Sequence, residues 1–234
     1  MKAILMAAGK GTRISRHIDG KPKCTVDLGD GKTLIQYSVE LLGKRGIKDI
    51  TIVLGYQGEV IREIVGDSVH YVENPFFDIT NSIVSLWFAQ DYIVGDDRYL
   101  IMNGDVFLSE EALDRIVVEK LSPVLFYDST RISEADYRFY CKDDRLMKFG
   151  KDLSNEETSG EYIGCAIIGD GFATTFIQRM NELIHTQHHS QWWEDVLYSM
   201  AEEQALAVKD IGGAFWAEVD YVEDYLRIQD FYRK

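Results

Sequence analysis

Short apolar segments alternate with helix-length segments through the first half of the chain, and this alternation restricts the fold more than any other feature. Residues 3–7, 50–54, 69–74 and 99–102 have the length and apolar character of buried strands. Each is separated from the next by a segment long enough for a crossover helix. Because such connections join parallel strands, the pattern predicts a parallel sheet covered by helices on both faces.

The predicted helices carry recognisable start and stop signals. Thr33 and Gln36 have the spacing of a capping box, and Gly46 follows at the end of the same helix. Residues 59–65 and 81–90 form the next two helices. These signals place one helix in every gap between the predicted strands.

The second half of the chain departs from this pattern. Its predicted elements are, in order, a helix at 110–120, a strand at 123–128, a hairpin at 138–150, a strand at 162–168, and helices at 172–184, near 193 and from about 221. We therefore predict an α/β fold with one domain spanning residues 1–234, which is long enough for one sizeable core. The expected architecture is Rossmann-like: a mixed, mainly parallel sheet flanked by helices, with a small antiparallel addition.

A glycine-rich loop follows the first strand directly, in the sequence LMAAGKGTR at residues 5–13. A Walker loop would need Ser or Thr where Gly11 stands, and a dinucleotide fingerprint would need glycine where Ile14 stands. The second mismatch disfavours a dinucleotide oxidoreductase. What remains is a loop whose free backbone N–H groups can surround phosphate oxygens, with Arg13 beside it. The loop therefore predicts phosphate binding without naming the chemistry.

Charge is distributed unevenly along the chain. The formal net charge of −14 disfavours binding to nucleic acid or to an anionic membrane, since either needs a broad basic face. Residues 1–23 nevertheless contain one acid, Asp19, and six basic side chains: Lys2, Lys10, Arg13, Arg16, Lys21 and Lys23. Because these charges bracket the glycine loop, they favour a small anionic ligand over a basic tail without a ligand.

Cysteine usage indicates the cellular compartment. Cys24, Cys141 and Cys165 are odd in number and include no C-x-x-C pair, so they form neither a disulfide framework nor a zinc ribbon. No run approaches the ~18 apolar residues of a membrane span. We expect a cytoplasmic protein.

Two acids follow predicted strands. Asp105 comes just after the strand at 99–102, and Asp220 follows a short apolar segment near the C-terminus. Ligands of open α/β sheets gather at the carboxyl ends of strands, and Mg²⁺ takes one or two carboxylates together with substrate phosphates. Each acid alone is explained equally well as a helix or turn cap. Both together with the glycine loop favour a metal site.

The segment Trp192-Trp193-Glu194-Asp195 has two interpretations. Aromatic faces and carboxylates together can hold a cationic head group in a pocket. Tryptophans at the start of a helix are explained equally well as core residues.

These motifs resemble a known family. LMAAGKGTR followed by KPK resembles the L-x-A-G-x-G-x-R…P-K signature of the nucleotidyltransferases that activate sugar 1-phosphates and related phosphoesters. Further segments resemble, in order and over nearly the whole chain, the branch with phosphocholine and 2-aminoethylphosphonate cytidylyltransferases: GYQGE, NPFFDITNSIVSL, NGDVF, FGKDL, GEYIG, WWEDVL and WAEVDYVEDYLR. The chain lacks the E-K-P-x-x-P segment of the sugar-activating branch, which argues against a hexose 1-phosphate acceptor.

The resemblance implies residues that bind the nucleotide. Backbone amides of the glycine loop would hold the triphosphate, at Ala8, Gly9, Gly11 and Thr12. Arg13 would contact the β and γ phosphates and Lys23 the α-phosphate. The residues implied to border the base are Gly55, Tyr56, Asn81 and Ser85, whose small or uncharged groups suit a pyrimidine.

The resemblance also implies a metal site and an acceptor site. Asp105 and Asp220 match magnesium-binding acids, with Glu218 close by, and Asp105 joins Lys23 and Arg13 as a catalytic residue. Lys151 matches a lysine that holds the acceptor phosphate. The acceptor end of the pocket is matched by Glu161, Trp192, Trp193, Glu194 and Asp195.

The predicted function is therefore a Mg²⁺-dependent cytidylyltransferase. It would transfer CMP from CTP to a small phosphoester or phosphonate, such as phosphocholine or 2-aminoethylphosphonate, and release pyrophosphate. Two alternatives remain: a sugar- or polyol-phosphate nucleotidyltransferase that uses CTP or UTP, and a catalytically silent nucleotide-binding regulator. The expected partners are CTP and the acceptor, without nucleic acid or membrane, and the expected state is a monomer or homodimer.

Overall fold

The structure, a computed structural model, describes residues 1–11 and 18–234. Its strands are β1 (Lys2–Ala7), β2 (Ile50–Leu54), β3 (His70–Glu73), β4 (Tyr99–Asn103), β5 (Val106–Leu108), β6 (Val124–Asp128), β7 (Arg138–Lys142), β8 (Arg145–Gly150), β9 (Gly160–Ile168), β10 (Ala207–Asp210) and β11 (Trp216–Glu218). Its α-helices are α1 (Leu34–Lys44), α2 (Gly58–Val65), α3 (Ser82–Phe88), α4 (Glu110–Val117), α5 (Phe172–His185), α6 (Asp195–Tyr198) and α7 (Val222–Tyr232).

Within these described residues, nine strands form one mixed sheet in the order β3-β2-β1-β4-β9-β6-β10-β8-β7. Strands β3, β2, β1 and β4 are parallel, as the alternating pattern predicted. Strand β9 is antiparallel to both β4 and β6. The β7–β8 hairpin forms the antiparallel edge. The architecture is the predicted mixed α/β sheet with antiparallel strands in its second half.

Both faces of the sheet are covered. Side chains alternate along β1, so that Ile4 and Met6 pack into one apolar cluster and Ala3, Leu5 and Ala7 into another. Helices α3, α5 and α6 complete the first cluster, and α1, α2 and α4 complete the second. Each fully buried large apolar side chain in these clusters contributes about 1.5–3 kcal/mol. The sheet is thus held rigid from both sides, with its strand ends free to carry loops.

Capping positions the helices nearest to the strand ends. Before α1, the Gln36 backbone N–H donates to Thr33 Oγ1 at 3.4 Å, and the Thr33 N–H donates to Gln36 Oε1 at 3.0 Å. This is the predicted capping box. Before α3, the Ser82 N–H donates to Asn81 Oδ1 at 2.8 Å, and this cap lies at the start of the helix predicted over 81–90.

Three short strands were not predicted from the sequence. Strand β10 pairs in parallel with β6 inside the main sheet, although only one of its four residues, Val208, is buried. Strands β5 and β11 form a separate antiparallel pair. Strands this short contain too little of a hydrophobic pattern to be recognised, because their neighbours in the sheet determine them. No helix of the described residues is both long and apolar enough to cross a membrane.

Candidate active site

A cleft of about 460 Å³ opens where β1 and β4 end. The glycine loop after β1 forms one wall, through Ala8, Gly9 and Gly11, and Asp105 after β4 forms another. The start of the loop is anchored to the neighbouring strand, because the Tyr56 N–H donates to the Ala8 carbonyl at 3.0 Å. The predicted loop residues Thr12 and Arg13 lie outside the described residues.

Gly11 has a structural reason to be glycine. Its φ of +58° lies in the left-handed region, and a Cβ there would collide with the side chain of Lys23. The glycine loop and the lysine segment are therefore in direct contact. Both line the cleft, as the resemblance implied.

Three carboxylates meet at the end of the cleft. Asp105, Glu218 and Asp220 each offer an oxygen that lies within 4.8 Å of the oxygens of the other two. The small β5–β11 pair brings them together: Val106 pairs with Glu218, and the Val219 N–H donates to the Asp105 carbonyl at 3.0 Å. Oxygen ligands at this spacing are the set that Mg²⁺ prefers, so these residues fit a divalent cation.

The electrostatics of this acidic cluster favour a bound cation. Burial and the charges of Asp105 and Asp220 raise the pKa of Glu218 well above its usual range. Like charges held this closely repel one another. A divalent cation would relieve that repulsion.

Lys23 points into the same cluster. Its ammonium lies 3.2 Å from Asp105 Oδ2 and also forms an ion pair with Asp220. Burial alone would lower the pKa of Lys23, but the neighbouring carboxylates of Asp105, Asp220 and Glu218 raise it above its ordinary value. The lysine is therefore a permanent positive charge at the end of the cleft.

Of the four residues that the resemblance implies to border the nucleotide base, two line the cleft and two do not. Asn81 and Ser85 line the cleft. Gly55 and Tyr56 do not: a Cβ at Gly55 would lie 2.7 Å from the Ala8 carbonyl, and the Tyr56 hydroxyl donates to the Gly20 carbonyl at 2.9 Å. These two residues support the loop from behind rather than forming the cleft wall.

One part of the cleft lining, called here the aromatic end, is aromatic and acidic, and it lies near the acidic cluster, since the charge of Glu194 contributes to the raised pKa of Glu218. The aromatic end includes Tyr137, Tyr162, Trp192, Glu194 and Tyr198. Burial raises the pKa of the Glu194 carboxyl to about 8, and the Asn103 amide donates a long hydrogen bond of 3.4 Å to it. This end can receive a cation, because a carboxyl and several aromatic faces converge there.

Lys151 lines the same end and pairs with Asp136 at 2.7 Å. Its ammonium also lies 5.9 Å from the centre of the Trp192 ring. Glu161 lines the cleft, but its carboxylate pairs with Arg131 and accepts from the Asp136 N–H at 2.8 Å. Glu161 is thus already engaged in holding the loop that carries Asp136.

Trp193 and Asp195 do not line the cleft, in contrast to the sequence-based expectation for the acceptor wall. Trp193 is fully buried, and its indole N–H donates to Asn103 Oδ1 at 2.9 Å. Asp195 accepts the Trp192 N–H at 2.8 Å. Of the two interpretations of this segment, Trp193 is the core tryptophan and Trp192 the exposed one.

The lining residues that sequence reasoning missed include Asn103, Tyr137, Tyr162 and Tyr198. Two of them stand within quoted motifs, Asn103 in NGDVF and Tyr162 in GEYIG. Tyr137 and Tyr198 carry no local signal, because they reach the cleft through β9 pairing and the packing of α6.

Two relatives match nearly the whole chain. The choline-phosphate cytidylyltransferase of Streptococcus pneumoniae is 26% identical over 245 residues, which cover 98% of this chain and 97% of that protein. The CTP:phosphoglutamine cytidylyltransferase of Campylobacter jejuni is 24% identical over 248 residues, which cover 96% of this chain and 97% of that protein.

Solved structures share the fold. The CTP:phosphocholine cytidylyltransferase from Streptococcus pneumoniae matches with a TM-score of 0.76 at 21% identity, over 99% of this chain and 98% of its own. The inositol-1-phosphate CTP transferase from T. maritima matches with a TM-score of 0.78 at 21% identity, over 98% of this chain and 94% of its own. These likenesses confirm the predicted α/β nucleotidyltransferase fold.

The first half of the chain carries a family match. Residues 3–125, which include the glycine loop, Lys23 and Asp105, match the MobA-like NTP transferase domain. The chain belongs to this family, and the protein is an enzyme of the nucleotidyltransferase type.

Proposed function

We propose that this protein transfers CMP from CTP to a small phosphoester or phosphonate that carries a cationic group, and releases pyrophosphate. The observation that carries the proposal is the meeting of Asp105, Glu218, Asp220 and Lys23 beside a glycine loop, in a cleft whose lining also includes the aromatic end. The Streptococcus pneumoniae and Campylobacter jejuni relatives, which match almost the full chain, are both named as cytidylyltransferases, and this supports CTP as the donor.

The transfer is a substitution at the α-phosphorus. An acceptor phosphate oxygen forms a new bond to that phosphorus, the bond to the bridging oxygen breaks, and pyrophosphate leaves with that oxygen. A phosphomonoester has a second pKa near ~6 and is mostly dianionic at neutral pH, so no general base is required. The protein contributes by positioning and by neutralising charge.

The roles of the chain's own residues follow from the cleft. Lys23 would leave the acidic cluster to contact the α-phosphate, and the loop from Ala8 to Gly11 would hold the triphosphate through its backbone N–H groups. Lys151 would bind the acceptor phosphate. Arg13 and Thr12 are proposed to hold the departing pyrophosphate.

Asp105, Glu218 and Asp220 would hold the proposed Mg²⁺. When bound, the cation would supply neutralisation of the phosphate charge. At the base, the lining residues Asn81 and Ser85 are proposed to leave room for a pyrimidine.

Residues 1–234 are proposed to act as one domain, because both apolar clusters share the same sheet. A monomeric or homodimeric state and a cytoplasmic location remain predictions. The three cysteines are free thiols, which fits a reducing compartment.

A pyrophosphate-release assay tests the function. The protein is incubated with Mg²⁺, CTP or UTP, and a panel of phosphoamine, aminophosphonate, sugar phosphate and polyol phosphate acceptors. We expect release with CTP and a cationic acceptor, and none when the acceptor is omitted. Release only with UTP or a sugar phosphate would replace this proposal with the related alternative, and tight CTP binding without release would indicate a nucleotide-binding regulator.

A further inference from the structure

Two tyrosine hydroxyls at the aromatic end of the cleft are buried without a hydrogen-bond partner among the described residues, and a buried carboxyl group lies beside them. Glu194, Tyr162 and Tyr198 have exposed fractions of 6%, 8% and 6%. Neither tyrosine hydroxyl makes a well-formed hydrogen bond to a described residue. Glu194 lies beside them and receives a long hydrogen bond of 3.4 Å from the Asn103 amide.

These groups share one small environment. Burial raises the pKa of both tyrosine hydroxyls, and the nearby Glu194 carboxyl raises them further. All three residues line the cleft. They therefore face the same ligand.

Leaving such groups unsatisfied is costly. A buried polar group without a partner costs about 1–3 kcal/mol, and native proteins contain few of them. Two such hydroxyls in one wall of an active-site cleft indicate a ligand that completes their hydrogen bonds. A tyrosine hydroxyl oxygen can accept, and so can a Glu194 oxygen, so one donor of several hydrogen bonds would complete all of these contacts; a cation there would also favour the ionised form of Glu194.

We propose that the acceptor ends in a primary ammonium group, whose N–H donors bind Glu194 and the hydroxyl oxygens of Tyr162 and Tyr198. This inference rests on the proposed function and narrows its acceptor class. A trimethylammonium group has no N–H donor, so it would leave both hydroxyls without a partner. The faces of Tyr137 and Trp192 attract either kind of cation and do not discriminate between them.

A methylation series tests the inference directly. Phosphoethanolamine, its N-methyl and N,N-dimethyl derivatives and phosphocholine carry the same phosphate and lose one N–H donor at each step. We expect kcat/KM to fall along the series, by at least tenfold from the first to the last. Equal or higher kcat/KM with phosphocholine would overturn the inference while leaving the cytidylyltransferase proposal intact.

If none of the panel acceptors releases pyrophosphate from CTP, the proposed function fails and the inference fails with it. The two failures are thus distinguishable, since the first shows turnover with the wrong preference and the second shows no turnover at all.

Two conservative variants test whether the tyrosine hydroxyls cause the preference for a primary ammonium group. Tyr162→Phe and Tyr198→Phe remove only the hydroxyls, and Tyr140→Phe outside the cleft lining serves as the control. We expect each cleft variant to lower kcat/KM for phosphoethanolamine about tenfold and to leave phosphocholine within about twofold. Equal losses with both acceptors would overturn the assignment.

A stability measurement separates ligand recognition from a structural role. Because each hydroxyl lacks a partner in the free protein, its removal should leave the Tm unchanged or raise it. The rise in Tm caused by phosphoethanolamine should shrink in the same variants. A lower Tm in the ligand-free variants would show that the hydroxyls serve the fold instead.

Discussion

The Lys23 ammonium lies 3.2 Å from Asp105 Oδ2 in the same cluster of carboxylates that would hold a divalent cation. The lysine thus neutralises part of the charge that a metal would neutralise. The Lys23 ammonium and a divalent cation therefore compete for the same carboxylate oxygens. This competition can be measured as metal affinity in the absence of turnover.

We expect Lys23→Met to bind Mn²⁺ about tenfold more tightly than the wild type in the absence of nucleotide, while turnover falls at least a hundredfold. The reason is that three close carboxylates lose their built-in counter-ion. Mn²⁺ titration followed by electron paramagnetic resonance measures the affinity. The exposed Lys21→Met is the matched control, and unchanged Mn²⁺ affinity in Lys23→Met would contradict the competition.

Asp105→Asn should lower kcat by at least a hundredfold and weaken Mn²⁺ binding, while the protein remains folded. The amide keeps the shape of the side chain but removes one of the charges that a metal requires. Circular dichroism and the pyrophosphate assay measure the two outcomes. Asp114→Asn changes an exposed acid and serves as the control, because we expect it to leave activity unchanged. A kcat near the wild-type value in Asp105→Asn would show that Asp105 is not a metal ligand.

Gly11→Ala should reduce activity more than its effect on stability explains. The left-handed φ costs about 1–2 kcal/mol for any side chain, and the new methyl group must also displace Lys23. Gly171→Ala is the control, since Gly171 is left-handed with a φ of +85° and has no atom near the added Cβ. We expect similar losses of Tm in both variants but weaker CTP binding, by isothermal titration, in Gly11→Ala alone.

The stability of the protein should fall as pH rises toward 8, in part because of Glu194. Its folded-state pKa of about 8 lies above the ordinary value of 4.5, so the folded protein holds a proton that the unfolded chain releases between those values. This contribution is complete below pH 4.5 and is lost as pH rises, at up to about 1.4 kcal/mol per pH unit.

Glu194→Gln keeps the shape of the side chain and cannot ionise. We therefore expect a flatter dependence of Tm on pH in this variant than in the wild type. Parallel Tm profiles for the two proteins would show that Glu194 ionises at its ordinary pKa.

The two adjacent tryptophans should respond differently to truncation. Trp193→Ala removes a fully buried side chain and should cost about 3–5 kcal/mol of unfolding free energy. Trp192→Ala removes a side chain that is 42% exposed, so it should change stability by less than about 1 kcal/mol and raise the acceptor KM several-fold. Denaturant unfolding and steady-state kinetics separate these outcomes; equal effects of the two variants would contradict their assignment.

Local signals in the sequence were enough to predict three features of the protein: the α/β class, the parallel direction of the early strands and the phosphate-binding loop. Apolar residues recur with a different period in strands than in helices, so the two kinds of element can be told apart. Thr33 and Gln36 form a short-range cap, and the glycines of the loop follow a strand directly. Asp105 could be predicted as well, since it stands at a strand end. Local chemistry was sufficient in each of these cases.

Tertiary structure decided the rest of the site. The sequence left Trp192 and Trp193 equivalent, and only the packing of α6 buries one and exposes the other. Glu218 joins Asp105 because β5 pairs with β11, more than a hundred residues away along the chain. Likewise, Tyr162 and Tyr198 meet Glu194 only after a sheet strand and a helix have packed together. Contacts between distant segments depend on the burial of whole elements, and no short stretch of sequence contains that information.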